Sequence, residues 1–119
     1  MTKAKNASNI GNVEPKTLQD VFDVVQSRRG DDPKTSYVAS LLSKGVDKIL
    51  KKVGEESGEV IIAFKNDDRE EQVHEIADLW FHTLVLMADA GLTPADIENE
   101  FGKRFGTSGH AEKAARNKN

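Results

Sequence analysis

The chain has 119 residues, of which 31% are charged and 37% hydrophobic, as is typical of one globular domain with its own core. Its formal net charge of −3 gives no general attraction for nucleic acid or for a membrane surface. It contains no cysteine, which excludes disulfides, thiol catalysis and cysteine-bound zinc. No apolar run is long enough for a membrane span and the N-terminus has no signal-peptide core. We therefore expect a cytoplasmic protein that binds neither nucleic acid nor a membrane.

Helix starts and stops dominate the rest of the pattern. Residues 1–16 are polar and predict a loose tail. Residues that can accept a hydrogen bond from a first-turn N–H begin four of the predicted helices, namely Thr17, Ser36, Asp68 and Thr93. The predicted helices run from residue 17 to a break at 28–33, then 37–44, about 46–65, 68 to just before Gly91, and 93 to Gly106.

These elements predict an all-α fold, since no stretch alternates as a strand would. We expect a compact bundle of four to five helices over residues 17–106, followed by a basic C-terminal segment at 107–119. Short antiparallel helices with wide apolar faces often need a second chain to complete the core. A homodimer is therefore predicted.

Five carboxylates stand at helical spacings on the two central helices. Glu55, Glu56 and Glu59 fall within an arc of roughly 100° on the first of them. Glu75 and Asp78 are three residues apart and share a face of the second. Like charges on one face repel each other, so such a set is stable only in solvent or beside a cation.

The second of these helices is apolar on nearly every side between Ile76 and Ala90, which predicts that it is buried. Glu75, Asp78 and His82 nevertheless lie within an arc of roughly 60° on it. Buried carboxylates cost several kcal/mol unless they are paired or bind a metal. The residues alone leave two interpretations open: acidic faces of two helices that hold a divalent metal between them, or structural ion pairs with lysines.

If the metal interpretation holds, the chemistry follows from the ligand type. Carboxylate oxygens select magnesium or manganese over zinc or copper. Such an ion binds phosphate oxygens and activates water for in-line attack on a phosphoanhydride. His82 could donate a hydrogen bond to Asp78 or Glu75, whereas His74 is expected to be exposed.

Lysines and apolar residues on the first acidic helix complete the pattern. Lys51 and Lys52 could contact phosphate, or could pair with Glu55 and Glu56 about one turn away. One apolar side is expected to pack in the core, away from the acids. Its members are Ile49, Leu50, Val53, Val60, Ile61 and Phe64.

The acids also carry a resemblance. Glu55-Glu-x-x-Glu59 followed by Glu75-x-x-Asp78 resembles the signature of the all-α nucleoside triphosphate pyrophosphohydrolases, the MazG-like superfamily. Within that superfamily, five further segments are similar to the phosphoribosyl-ATP pyrophosphatases of histidine biosynthesis. They are Ser36-Tyr37, Leu41–Gly45, Lys51–Glu56, Ala77–His82 and Ser108–Arg116.

This resemblance implies hydrolysis of phosphoribosyl-ATP to phosphoribosyl-AMP and pyrophosphate, with magnesium or manganese as cofactor. It implies that the five acids are metal ligands or, for one glutamate, the base that activates water. Glu56, Glu59, Glu75 and Asp78 are the candidate ligands, and Glu55 and Glu56 the candidate catalytic residues. Basic positions of the family's C-terminal segment are matched by Arg104, Lys113 and Arg116, which become candidate phosphate contacts, although a basic tail without a role remains the alternative for Arg116.

Two other functions remain as alternatives. A housekeeping pyrophosphohydrolase of the same superfamily would act on nucleotides such as dUTP or dCTP, and would not need the basic C-terminal segment. A non-catalytic helical dimer would carry the same acids as solvated surface charge.

Overall fold

The computed structural model describes residues 14–106 and Arg116, and within them the chain forms five α-helices and no strand. The helices are α1 (Leu18–Ser27), α2 (Tyr37–Lys44), α3 (Val46–Lys65), α4 (Arg69–Ala90) and α5 (Pro94–Phe105). The all-α prediction is confirmed for these residues. Most of the predicted tail and of the C-terminal segment lies outside them. Among the five helices, none is long and apolar enough to cross a membrane.

The helices begin where their capping residues predict. Thr17 accepts a hydrogen bond from the Asp20 N–H at 3.0 Å, and the Asp20 carboxylate accepts one from the Thr17 N–H at 3.2 Å. At the start of α4, Asp68 accepts from the Glu71 N–H at 3.2 Å. The Glu71 carboxylate does not accept a hydrogen bond from the Asp68 N–H, as a full capping box would require. It accepts one from the Asn66 side chain at 3.4 Å.

The core lies where α4 crosses α1, α2 and α3, and α5 packs against α1. It is formed by buried residues of the first four helices. These are Phe22, Val25, Val38, Leu41, Ile49, Leu84, Val85, Met87 and Ala88. The α3–α4 hairpin contributes the most extensive helix pair, because a turn of only three residues joins two long helices.

The prediction that α4 is buried between Ile76 and Ala90 is wrong for the residues before His82. Its buried residues are confined to 82–88, the segment that packs with Phe22 and Val25 of α1. Before that segment, Val73 is 61% exposed and Trp80 is 54% exposed. An apolar sequence predicts burial only where another helix reaches it, and α1 reaches only the second half.

The predicted inner face of α3 is also corrected. The buried line consists of Ile49, Glu56 and Ala63, which are seven residues apart and so stack along one side of the helix. Three residues predicted to be in the core are exposed instead: Leu50, Ile61 and Phe64. The apolar stripe of α3 is wider than its buried line, so the residues at the edge of the stripe stay exposed. Glu56 therefore lies on the packed side of α3, although the acids were expected to be separate from the packed side.

Candidate active site

Glu75 lies within electrostatic reach of three other carboxylates of the α3–α4 hairpin. The pKa of Glu75 is raised, first by desolvation and then by the negative charges of Asp78, Glu59 and Glu56, while His74 opposes the rise. Of those three negative charges, Asp78 lies on α4 with Glu75, whereas Glu59 and Glu56 belong to α3. The structure therefore brings together the two acidic faces that the sequence placed on separate helices.

On α4, a group of three side chains is spaced as metal ligands could be. One ligand atom from each of His74, Glu75 and Asp78 lies within 4.8 Å of the other two. The His74 Nε2 is 3.5 Å from the Asp78 Oδ2. His74 is exposed, as predicted, but its place in this group was not anticipated. The signal for it was its spacing of four residues from Asp78, which puts both on one face of the helix.

Lys52 forms ion pairs with two acids of α3. Its Nζ lies 3.3 Å from the Glu56 Oε2 and 3.5 Å from the Glu55 Oε1. Burial would lower the pKa of Lys52, but the bond to Glu56 and the nearby negative charges outweigh burial and raise it. The predicted pairing of this lysine with the acids is thus confirmed. Lys51 is exposed. Phosphate binding by either lysine stays a prediction.

Glu55 stands apart from the other acids. Its side chain is 50% exposed, and its ordered contact is the one with Lys52. The charge of Glu55 is not one of those that raise the pKa of Glu75, whereas the charge of Glu56 is. Glu56 is also only 8% exposed. Glu55 therefore lies at the edge of the site, and Glu56 lies inside it.

His82 connects the site to α2. The buried ring has its Nδ1 at 2.8 Å from the backbone carbonyl of Asp78 and its Nε2 at 2.8 Å from the Tyr37 hydroxyl. Because a backbone carbonyl oxygen can only accept, Nδ1 is assigned as the donor to Asp78, and in that tautomer of the imidazole Nε2 accepts from the phenol. The predicted bond to the carboxylate of Asp78 or Glu75 is therefore replaced by bonds to a backbone oxygen and to Tyr37.

Tyr37 belongs to the site although the acid pattern did not single it out. Burial raises the pKa of its hydroxyl; Lys52 lowers that pKa, and the negative charges of Glu56 and Asp78 raise it. The hydroxyl therefore keeps its proton at neutral pH. Its only signal in the sequence was the Ser36-Tyr37 pair within the family resemblance.

Of the three predicted phosphate contacts of the C-terminal region, Arg104 forms an ion pair within its own helix. The Arg104 Nε lies 2.9 Å from the Glu100 Oε2, one turn away on α5. Arg116 is exposed, and Lys113 lies outside the described residues. Roles for these three residues in phosphate binding stay predictions.

Comparison with known proteins agrees with this geometry. Residues 18–105, which include all five helices and the four clustered carboxylates, match the family model described as phosphoribosyl-ATP pyrophosphohydrolase. The chain belongs to this family. The resemblance first seen in the acids and in the Ser36-Tyr37 pair is thereby confirmed.

Individual relatives are similar over most of their length. A protein of Geobacter sulfurreducens named phosphoribosyl-ATP pyrophosphatase is 62% identical over 100 residues, covering 84% of this chain and 93% of the relative. Proteins of the same name from Geobacter metallireducens and Hydrogenovibrio crunogenus are 56% and 54% identical. Those two alignments cover 85% and 81% of this chain, and 93% and 88% of the relatives.

Proposed function

We propose that this protein hydrolyses phosphoribosyl-ATP to phosphoribosyl-AMP and pyrophosphate in histidine biosynthesis, with magnesium or manganese held between α3 and α4. The observation that carries the proposal is that the charges of Glu56, Glu59 and Asp78 act on Glu75 in a member of this family. The names of the relatives suggest the substrate. The paired acidic faces suggest how a phosphoanhydride could be bound and cut.

The side chains present fit a hard divalent cation. Carboxylate oxygens are the ligands that magnesium and manganese prefer. The pKa of Glu75 is raised first by desolvation and then by the negative charges of its neighbours, and a cation among them would oppose that rise. When bound, the ion would neutralise phosphate charge and lower the pKa of a water molecule. Glu56, Glu59, Glu75 and Asp78 would hold it.

The remaining roles fall to residues around this cluster. The ammonium group of Lys52 is ordered by Glu56 and carries the positive charge that a pyrophosphate leaving group needs. Glu55 and Glu56 are the two candidates to take the proton from the attacking water, and both contact Lys52. Glu55 is the more accessible of the two, since half of its side chain is exposed.

A homodimer is part of the proposal, because both helices of the hairpin expose apolar side chains. On α3 these are Val46, Leu50, Ile61, Ile62 and Phe64, and on α4 they are Val73 and Trp80. All seven are between 44% and 63% exposed. A second copy that covered them would complete the core that one chain leaves open. A cytoplasmic location stays a prediction.

The test is a pyrophosphate-release assay with phosphoribosyl-ATP, ATP, dUTP and dCTP, each with magnesium, with manganese and with a chelator. We expect metal-dependent release from phosphoribosyl-ATP in preference to the other three. Equal or faster turnover of dUTP or dCTP would move the assignment to a housekeeping pyrophosphohydrolase. Release from none of the four, with magnesium binding no tighter than about millimolar, would indicate a non-catalytic helical protein.

A further inference from the structure

The hydroxyl of Tyr37 lies where α2 meets α3 and α4. It is 2.8 Å from the His82 Nε2, and the charges of Lys52, Glu56 and Asp78 all act on it. Tyr37 is the first residue of α2 and is 51% exposed, so it is accessible to a ligand. The reaction as described above leaves this residue without a role.

His82 decides which way the phenol proton points. Because the His82 Nδ1 donates to the carbonyl of Asp78, the Nε2 of the neutral ring can only accept. The Tyr37 hydroxyl therefore donates its one hydrogen bond to the His82 Nε2. This hydrogen bond uses the one proton of the hydroxyl and leaves the phenol oxygen of Tyr37 as an acceptor.

The ring of Tyr37 is also held in place. It stacks on Phe81 with a centroid distance of 6.3 Å and an interplanar angle of 22°. It meets the ring of His82 edge-on at 5.7 Å. Among residues 14–106, His82 is the one hydrogen-bond partner of the hydroxyl. The result is a fixed acceptor beside Lys52 and Glu56 with unused lone pairs.

We propose that Tyr37 accepts a hydrogen bond from a hydroxyl of the sugar that adjoins the nucleotide's phosphates, and that His82 is the positioning residue that presents it. This inference rests on the proposed function, which puts the phosphates next to Lys52 and the acids. Ionised phosphates offer only acceptors to a protein. The nearest donors on the nucleotide are the hydroxyls of the adjoining sugar, and an acceptor at this position matches them.

The kinetic test compares Tyr37→Phe, His82→Gln and His82→Asn in the metal-loaded enzyme. A Gln side chain can place an oxygen where Nε2 stood and so keep the acceptor for Tyr37. An Asn side chain can replace only the Nδ1 donor. We expect Tyr37→Phe and His82→Asn to raise KM for phosphoribosyl-ATP about three- to tenfold, with kcat within about twofold, since they remove one neutral hydrogen bond. His82→Gln should restore KM to within about twofold.

A double variant separates positioning from folding. If His82 acts through Tyr37, then Tyr37→Phe combined with His82→Asn should raise KM no further than Tyr37→Phe alone. Ser43→Ala is the control on α2, since that hydroxyl bonds only the Ser40 carbonyl of its own helix, and it should leave KM unchanged. Additive effects on KM, or identical KM values for His82→Gln and His82→Asn, would overturn the positioning role. An unchanged KM in Tyr37→Phe would overturn the contact itself.

A binding measurement keeps the test separate from catalysis. Calorimetry with ATP and with dideoxy-ATP, whose sugar lacks both hydroxyls, should show weaker binding of dideoxy-ATP to the wild type. Tyr37→Phe should bind the two probes alike, because it lacks the acceptor. Equal affinities of the wild type for both probes would contradict the inference even if the enzyme is active. Failure of hydrolysis with this difference in binding intact would contradict the proposed function alone.

Discussion

The first part of α4, residues 69–81, and its second part, residues 82–90, differ in environment. In the second half, Leu84, Val85 and Met87 are buried in the core. In the first half, Val73 and Trp80 are exposed, and Asp78 faces the acids of α3. The core thus ends partway along one helix, and the candidate active site begins at that point. A site at the edge of a core keeps its carboxylates hydrated enough to stay charged, while packing still holds their helices in place.

The largest effect is expected from the acids at this boundary. Glu56→Gln and Asp78→Asn each keep the shape of the side chain and remove a negative charge, so hydrolysis of phosphoribosyl-ATP should fall about 100-fold or more. Pyrophosphate release measures the loss, and circular dichroism should show unchanged helix content. Glu70→Gln is the matched control, since Glu70 is exposed in the first turn of α4, and its activity should stay within about twofold. A Glu56→Gln enzyme with more than a tenth of wild-type activity would contradict the site.

The second half of α4 should respond in stability rather than in chemistry. Leu84→Ala leaves a cavity in the core, and should lower the free energy of unfolding by about 2–5 kcal/mol in urea titrations. Val73→Ala on the exposed first half should cost less than about 1 kcal/mol at a concentration where the chain is monomeric. Similar costs for the two substitutions would mean that the halves are not different environments.

The exposed half of the hairpin should control association. Trp80→Glu or Ile61→Glu would place a charge in the proposed interface, and should raise the dimer dissociation constant by about 100-fold or more in sedimentation equilibrium. Gln26→Glu adds the same charge on α1, outside the exposed stripe, and should leave association unchanged. A wild-type chain that stays monomeric at high concentration would refute the dimer.

The smallest effect is expected at Glu75, whose contribution to the stability of the folded protein depends on pH and on metal. Its pKa is raised in the folded protein, so the folded state loses stability as pH rises from the ordinary value of a glutamate through the raised one. In a chelator at neutral pH, Glu75→Gln should therefore raise Tm by about 1–2 °C. At about pH 3.5 the gain should disappear, because the carboxyl group is mostly protonated in both states.

With magnesium at neutral pH, the Tm of the wild type should exceed that of Glu75→Gln, since the wild type has one more ligand for the ion. Differential scanning fluorimetry with and without magnesium measures the reversal. A Glu75→Gln variant that gains as much Tm from magnesium as the wild type would remove Glu75 from the metal site.

Helix boundaries could be predicted because their causes are local. Ser36 accepts the Ala39 N–H at 3.1 Å and starts α2, within a span of four residues. Gly91 ends α4 at a φ of 78°, in the left-handed region that glycine adopts without strain. The shared faces of Glu56 with Glu59 and of Glu75 with Asp78 follow from the same local geometry.

Contacts between helices could not be predicted in the same way. His82 and Tyr37 are 45 residues apart, and no periodicity joins them. The inward line of α3 was expected to run through Leu50 and Ile61, but it runs through Glu56. The apolar stripe of α3 is wide enough for several orientations, and packing against the neighbouring helices selected one.

What the sequence alone determined is where each helix starts and stops and which acids share a face, because hydrogen bonds and side-chain neighbours within about four residues set both. Only the tertiary structure decided that Glu56 lies on the packed side of α3, that burial of α4 is confined to residues 82–88, and that the Tyr37 hydroxyl donates a hydrogen bond to His82. Those outcomes depend on how separate helices cross, and the crossing is set by side-chain packing over the whole domain.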